Sequence, residues 1–283
     1  MKRPSEAQRD ASPQAPRPFL KWAGGKGQLL EQLWPLLPAG PFAQYFEPFV
    51  GSAALFFALR PKSATLSDVN RELIDCYRAV KGHVDDVIAA LEQHRYDEVR
   101  YYEVREQQPA ALALAARAAR TIYLNKTGYN GLYRVNRAGR FNVPFGRYTN
   151  PGFRSPESLE NLRACARALR GARVCVRDFG EVVRHAKKGD FVYFDPPYVP
   201  LSDTSDFTLY VPGGFGPEEQ ARLATVVDAL TGAGVVVMLS NSDTPMVREL
   251  YARYRIDTVT AARSINSRAS RRGKVREVVV RNY

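Results

Sequence analysis

Short runs of consecutive apolar residues alternate along this chain with longer amphipathic stretches. The clearest run is Phe191-Val-Tyr-Phe194, set between Gly189-Asp190 and Asp195-Pro196-Pro197-Tyr198. Four large apolar residues in a row predict a strand buried on both faces, as in a parallel sheet. The two prolines end it, because neither can donate to a ladder. Gln44 to Phe57 reads as strand, loop and helix, with Glu47 closing the strand. Ala64 to Asp68 reads as a second short strand ending in an acid, and Arg173 to Asp178 as a third. Apolar runs at Val235–Leu239, Arg255–Ala262 and Val275–Arg281 complete the strand pattern. Helical periodicity follows the Gly24-Gly25-Lys26-Gly27 cluster through about Leu37, dominates 70–125, and returns at Ser158–Leu169 and Pro217–Thr231. Between Asn130 and Pro144 the pattern is that of a β-hairpin, with Gly139 able to take the positive φ of its turn. Strands alternating with helices predict a three-layer α/β fold.

The chemistry concentrates where strands end. A carboxylate (Asp195) and an aromatic ring (Tyr198) at the carboxyl end of a central strand lie where open α/β sheets bind ligands. The exocyclic amine of a nucleobase such as adenine is a poor nucleophile, because its lone pair is delocalised. Two acceptors on its two hydrogens favour the pyramidal nitrogen that attacks an electrophilic methyl. Asp195 offers a carboxylate oxygen, Pro196 a backbone carbonyl with no amide hydrogen beside it, and Tyr198 a stacking face. Gly51 and Asp68, seventeen residues apart, match the spacing that places an acid on ribose hydroxyls. The full G-x-G-x-x-G is absent, so a nucleoside fits better than a dinucleotide. Gly24–Gly27 lacks the Lys-Ser/Thr pair of a phosphate loop.

Composition bounds the rest. The 283 residues are 45% hydrophobic and 25% charged, ordinary for a globular protein of one large domain or one domain with an insert. No apolar stretch approaches the ~20 residues of a membrane span. The polar, proline-rich residues 1–17 read as a disordered arm rather than a secretory signal. Cys76, Cys165 and Cys175 have no metal-ligand spacing and none follows a proline, which argues against a cytosine ring methylase; no metal is expected. The net charge is +12. Residues 107–156 contain no Asp or Glu but hold Arg117, Arg120, Lys126, Arg134, Arg137, Arg140, Arg147 and Arg154, interleaved with Tyr, Phe and Asn. Such a block suits phosphate contact combined with base contact.

Taken together, the segments Phe19-Leu-Lys-Trp-Ala-Gly-Gly-Lys26, Tyr45-Phe-Glu-Pro-Phe-Val-Gly51, Ser67-Asp-Val-Asn70, Gly128-Tyr-Asn-Gly-Leu-Tyr-Arg-Val-Asn136, Phe141-Asn-Val-Pro-Phe-Gly-Arg-Tyr148, Asp195-Pro-Pro-Tyr198, Phe207-Thr-Leu-Tyr210 and Leu239-Ser-Asn-Ser-Asp-Thr244 resemble the Dam-type DNA adenine-N6 methyltransferases, in the family's order. The resemblance implies a Rossmann-like methyltransferase fold with a mixed seven-stranded sheet, formed by 18–70 and 155–283. Residues 71–154 would be an inserted, mainly helical target-recognition domain carrying the hairpin. It implies S-adenosyl-L-methionine as donor, with Trp22, Lys26, Glu47, Phe49, Gly51, Asp68 and Asp195 around it and Asp178 and Phe179 bracketing its adenine. Asp195, Pro196, Pro197 and Tyr198 would form the catalytic pocket for a flipped adenine. Lys21, Lys126, Tyr129, Asn130, Leu132, Arg134, Arg137, Arg140, Asn142, Pro144 and Arg147 would contact duplex DNA, Arg134 reading a guanine. The implied target is GATC. Tyr133 departs from the Cys that some relatives carry before the guanine-reading Arg. A monomer is expected, cytoplasmic, from a bacterial or phage source, with a restriction enzyme of matching specificity as a further partner. The competing readings are an RNA adenine methyltransferase, which would act on RNA and not on duplex DNA, and a catalytically silent DNA-binding module, which the intact Asp195-Pro-Pro-Tyr198 disfavours.

Overall fold

A computed structural model describes residues 15–22, 24–136, 138–199, 214–262 and 274–283. Most of the expected arm, Arg137, the Phe207-Thr-Leu-Tyr210 segment and the basic loop holding Arg268, Arg271 and Arg272 lie outside the described residues.

Seven strands form one sheet: β1 (Tyr45–Glu47), β2 (Ala64–Asp68), β3 (Ala172–Val176), β4 (Phe191–Phe194), β5 (Val236–Ser242), β6 (Arg255–Ala262) and β7 (Lys274–Arg281), in the order β3-β2-β1-β4-β5-β7-β6. The first five are mutually parallel, and β7 runs antiparallel between β5 and β6. The expected α/β class with a mixed seven-stranded sheet is therefore the one observed. After β1 the chain moves outward through β2 to β3, then returns to place β4 on the other side of β1. The carboxyl ends of β1 and β4 consequently flank the switch point of the sheet, where the crevice opens.

The helices are α1 (Leu30–Leu33), α2 (Ala54–Leu59), α3 (Arg71–Gly82), α4 (Val84–Glu92), α5 (Glu98–Glu106), α6 (Leu114–Thr127), α7 (Pro156–Leu169), α8 (Pro217–Gly232) and α9 (Pro245–Leu250). Side-chain oxygens of Asn70, Asp97, Ser155 and Thr244 cap α3, α5, α7 and α9 by accepting the first-turn N–H groups. Successive residues of β4 fall on opposite faces. Phe191 and Tyr193 join a core with Tyr45, Leu55, Tyr77 and Leu169, whereas Val192 and Phe194 join Phe46, Leu223, Val227 and Leu230 of α8. Those two cores make the three layers. The helical pattern expected from Lys26 to Leu37 is broken into 3-10 turns at Lys26–Gln28 and Trp34–Leu36 around α1, because glycines precede it and Pro35 interrupts it.

Helix α3 packs on β2, β3, α6 and α7, and α6 also packs on α4 and α5. Side chains bond backbone groups at both rims of the sheet. Arg78 Nε and Lys81 Nζ, from α3, donate to the carbonyls of Val174 (3.1 Å) and Ala172 (2.6 Å) on β3. At the other rim, the Gln32 carboxamide pairs with both the N–H and the C=O of Thr260 on β6, at 2.9 and 2.8 Å. Among the described residues, no helix is long and apolar enough to cross a membrane.

Candidate active site

Three parallel strands end in acids or lead into one at the crevice: Glu47 on β1, Asp68 on β2 and Asp195 just after β4. Asp195 pairs with the buried Lys26 ammonium, Nζ to Oδ1 2.7 Å. That ammonium also donates to the Gly24 carbonyl and lies 4.6 Å from the centre of the Tyr198 ring. The Tyr198 hydroxyl donates to Glu277 Oε2 on β7 at 2.7 Å. Burial lifts the Asp195 carboxyl from 3.8 to about 6; Lys26 opposes the rise and Glu277 adds to it. Burial likewise raises Glu47 to about 8, although the Tyr45 hydroxyl donates to it at 2.9 Å.

The segment after β4 is held by carboxamides that pattern reading alone missed. Gln220 Nε2 donates to the Pro197 carbonyl (3.0 Å), and its oxygen accepts from Asn241 Nδ2 (3.0 Å). Asn241 Oδ1 accepts the Val199 N–H (3.2 Å), and the Ser242 hydroxyl donates to the Val199 carbonyl. The signal was present as the polar triplet Ser240-Asn-Ser242, which prolongs β5 beyond its apolar run. Ser240 pairs with the Tyr193 hydroxyl at 2.9 Å, so the polar residues there are buried but satisfied.

On the other side of the crevice, Asp68 accepts the Asn70 N–H at 2.9 Å, and burial raises it to about 6 against the backbone N–H groups of Asn70, Gly51 and Val69, which favour the charged form. Gly51 takes φ +43°, and a Cβ there would lie 3.0 Å from Trp22 Cδ1. Phe49 stacks on Phe179 with centroids 5.1 Å apart and rings 27° from parallel. Asp178 precedes Phe179 and is bound by Arg222. Among the proposed donor contacts, Trp22, Gly51 and Asp68 thus adjoin one another, as do Phe49 and Phe179.

The candidates for DNA contact lie on neighbouring loops, apart from Lys126 in the last turn of α6. Tyr129 is exposed, and Asn130 and Gly131 both take positive φ (54° and 63°). A Cβ at position 131 would meet Lys21 Cδ at 2.3 Å, so glycine there permits the close approach of the two loops. The buried Asn125 side chain joins them: its Oδ1 accepts the Lys21 N–H (2.7 Å), and its Nδ2 donates to the carbonyls of Lys21 (2.7 Å) and Gly131 (3.1 Å). Lys21 lies 4.6 Å from the Tyr148 ring centre. The hairpin is short, with a single bridge between Val135 and Phe141, and Gly139 has φ +72°. The exposed Arg134 is held by Asn142, Nε to Oδ1 2.8 Å and Nη2 to the carbonyl 3.3 Å. Arg140 and Pro144 are exposed, Leu132 is half-buried, and Arg147 reaches Glu98 at 3.8 Å. Lys126 is half-buried; burial and then Lys21 lower its ammonium to about 8.

The acid-free block is not one basic surface. Arg117 pairs with Asp75 at 2.7 Å. Arg120 is buried and donates to the carbonyls of Val104 and Arg105, with Glu72 at 3.6 Å. These two arginines hold α6 to α3 and α5, using acids that lie outside the block in sequence. Tyr133 stacks on Trp22 (5.2 Å, 27°) and donates to Glu72 at 3.0 Å.

A sheet of this order, with Asp-Pro-Pro-Tyr at its switch point, defines a methyltransferase of the α/β class. More narrowly, the chain belongs to the D12 class N6 adenine-specific DNA methyltransferase family, whose sequence model matches residues 22–265. The Type II methyltransferase M1.LlaDCHI of Lactococcus lactis subsp. cremoris is 42% identical over 94% of this chain and 95% of its own length. The Type II methyltransferase M.MjaIII of Methanocaldococcus jannaschii is 39% identical, covering 94% and 99%. The DNA adenine methylase of Escherichia coli K12 is 38% identical, covering 93% and 94%.

Proposed function

We propose that this protein transfers a methyl group from S-adenosyl-L-methionine to the 6-amino group of an adenine everted from duplex DNA, within the sequence GATC. The observation that carries the reading is the seat of the Lys26 ammonium. A nitrogen bearing hydrogens lies 2.7 Å from the Asp195 carboxylate and over the Tyr198 face, 4.6 Å from its centre. A niche that accepts one N–H group and offers a ring for stacking suits a base amine.

The residues on the donor side fit the donor. Asp68 is a half-buried acceptor able to take ribose hydroxyls, the half-buried Phe49 ring lies on the buried Phe179, and Gly51 leaves the backbone beside Trp22 open to close approach. When bound, the donor supplies an electrophilic methyl on a sulfonium. Asp195 and the Pro196 carbonyl accept the two amine hydrogens and so localise the lone pair on nitrogen, while Tyr198 fixes the base plane. Glu277 keeps Tyr198 in place through its hydroxyl, and the Gln220–Asn241 pair does so through the backbone beside it.

Residues 71–154 act as the recognition insert. Arg134 reads a guanine; Lys21, Leu132 and Pro144 join it, and Tyr129 and Asn130 enter the gap left by the everted base. Lys126, Arg137, Arg140, Asn142 and Arg147 follow the phosphates. The name of the Escherichia coli relative supports adenine in DNA as the target. Modification-aware sequencing of DNA from cells expressing the protein is expected to show N6-methyladenine in GATC alone; marks confined to RNA, or at another motif, would refute the corresponding part of this reading. Neutralising roughly four phosphates should weaken DNA binding about 10²-fold between ~50 and ~200 mM salt. A flat salt dependence would exclude the insert as the backbone-tracking surface.

A further inference from the structure

Resting on the reading of Asp178 and Phe179 as the pocket for the donor's purine, the geometry points to Arg222 as the residue that sets purine selectivity there. Asp178 follows β3 and caps the 3-10 turn Phe179–Arg184, its Oδ1 accepting the Gly180 N–H at 2.8 Å. Arg222, from α8, grips the same carboxylate with a two-pronged fork, Nη1 to Oδ1 and Nη2 to Oδ2, both 2.8 Å. Glu219 Oε2 fixes the fork from behind, at 2.7 Å from Nη2 and 3.1 Å from Nε. The guanidinium also lies over the Phe179 ring, 3.8 Å from its centre. Space for this arrangement depends on Gly180, where a Cβ would lie 3.0 Å from both Arg222 Nη1 and Asp178 Oδ1.

A carboxylate offers about four acceptor positions. Oδ1 uses two, on Gly180 and Arg222, and Oδ2 uses one, on Arg222. One acceptor position remains, on an oxygen whose orientation the fork has locked. It takes an N–H and repels a carbonyl. A 6-aminopurine presents an N–H at that edge, and a 6-oxopurine presents an oxygen. Asp178 supplies the acceptor and Arg222 is its positioning residue. A bidentate guanidinium does this where a lysine cannot, because the fork fixes the plane of the carboxylate as well as its charge.

The test compares binding of S-adenosylhomocysteine and S-inosylhomocysteine by calorimetry to the full-length protein and to Arg222→Ala, Arg222→Lys and Gly180→Ala. The unaltered protein is expected to prefer the adenosyl compound by about tenfold or more. Arg222→Ala and Gly180→Ala should bring that ratio close to one. Arg222→Lys should recover affinity for the adenosyl compound without recovering the ratio. At saturating donor and DNA, turnover of Arg222→Ala should stay at the unaltered level while the donor KM rises, a split that simple destabilisation would not produce. A ratio in Arg222→Ala equal to that of the unaltered protein overturns the inference alone. Failure of the unaltered protein to bind either compound overturns both the inference and the donor reading beneath it.

Discussion

Asp195→Asn should lower methyl transfer about 10²–10³-fold, the loss typical of removing one preorganised electrostatic partner from a reacting centre. Asparagine keeps one acceptor oxygen for Lys26, whereas Asp195→Ala would strand a buried ammonium and confound activity with folding. DNA binding should survive in the Asn variant, since the proposed recognition loops lie elsewhere. A tritiated-methyl assay beside a DNA-binding isotherm separates the two, and unchanged turnover would remove Asp195 from the chemistry. The same carboxylate sets the pH profile. With its value lifted to about 6, kcat/KM should fall about tenfold per pH unit as the pH drops below that point. This decline is not unfolding. A carboxyl with a folded pKa above its unfolded value binds more protons when folded, so its contribution to stability grows as pH falls from about 6 towards 3.8. Glu47, raised to about 8, and Asp68, raised to about 6, act in the same direction. Thermal melts run beside the assay should show activity lost before structure; simultaneous loss would contradict the assignment.

Arg134→Ala should cost roughly 1–3 kcal/mol of discrimination at a single guanine. The guanidinium is already oriented by Asn142 through two contacts, so it meets a base edge with little of its rotamer freedom left to lose. The measurement is kcat/KM on duplexes carrying GATC and each single-base change. If the variant weakens every duplex alike, Arg134 is a phosphate contact and the reader of that position lies elsewhere in the hairpin.

The strands were legible because each central one is a continuous apolar run that ends where polar or proline residues begin. Phe191–Phe194 is the plainest case: buried throughout, between parallel neighbours, it stops at Asp195-Pro196-Pro197. Pattern failed where polar groups are buried in pairs. Ser240, Asn241 and Ser242 belong to β5 because each finds a partner across the sheet or in the loop beyond it, a match no local periodicity reveals. Charge counting failed for a related reason. Arg117 and Arg120 lie in an acid-free stretch, yet their counter-ions, Asp75 and Glu72, arrive from α3, well upstream in the chain. Glu277 was overlooked as one acid in an alternating strand, and only the register of β7 against β5 carries it to Tyr198. Arg222 sits in an ordinary amphipathic helix, and nothing in its spacing announces the carboxylate it holds.

The side chains that occupy Ala172, Val174 and Thr260 have a bearing on life at high concentration along a polymer. Wherever copies of a protein gather at short range, a sheet with bare rims would invite them to fuse strand to strand. Here an incoming backbone would first have to evict Arg78 or Lys81 along β3, or Gln32 at Thr260 on β6, from hydrogen bonds already made. Those contacts raise the cost of strand-to-strand fusion at the places they hold.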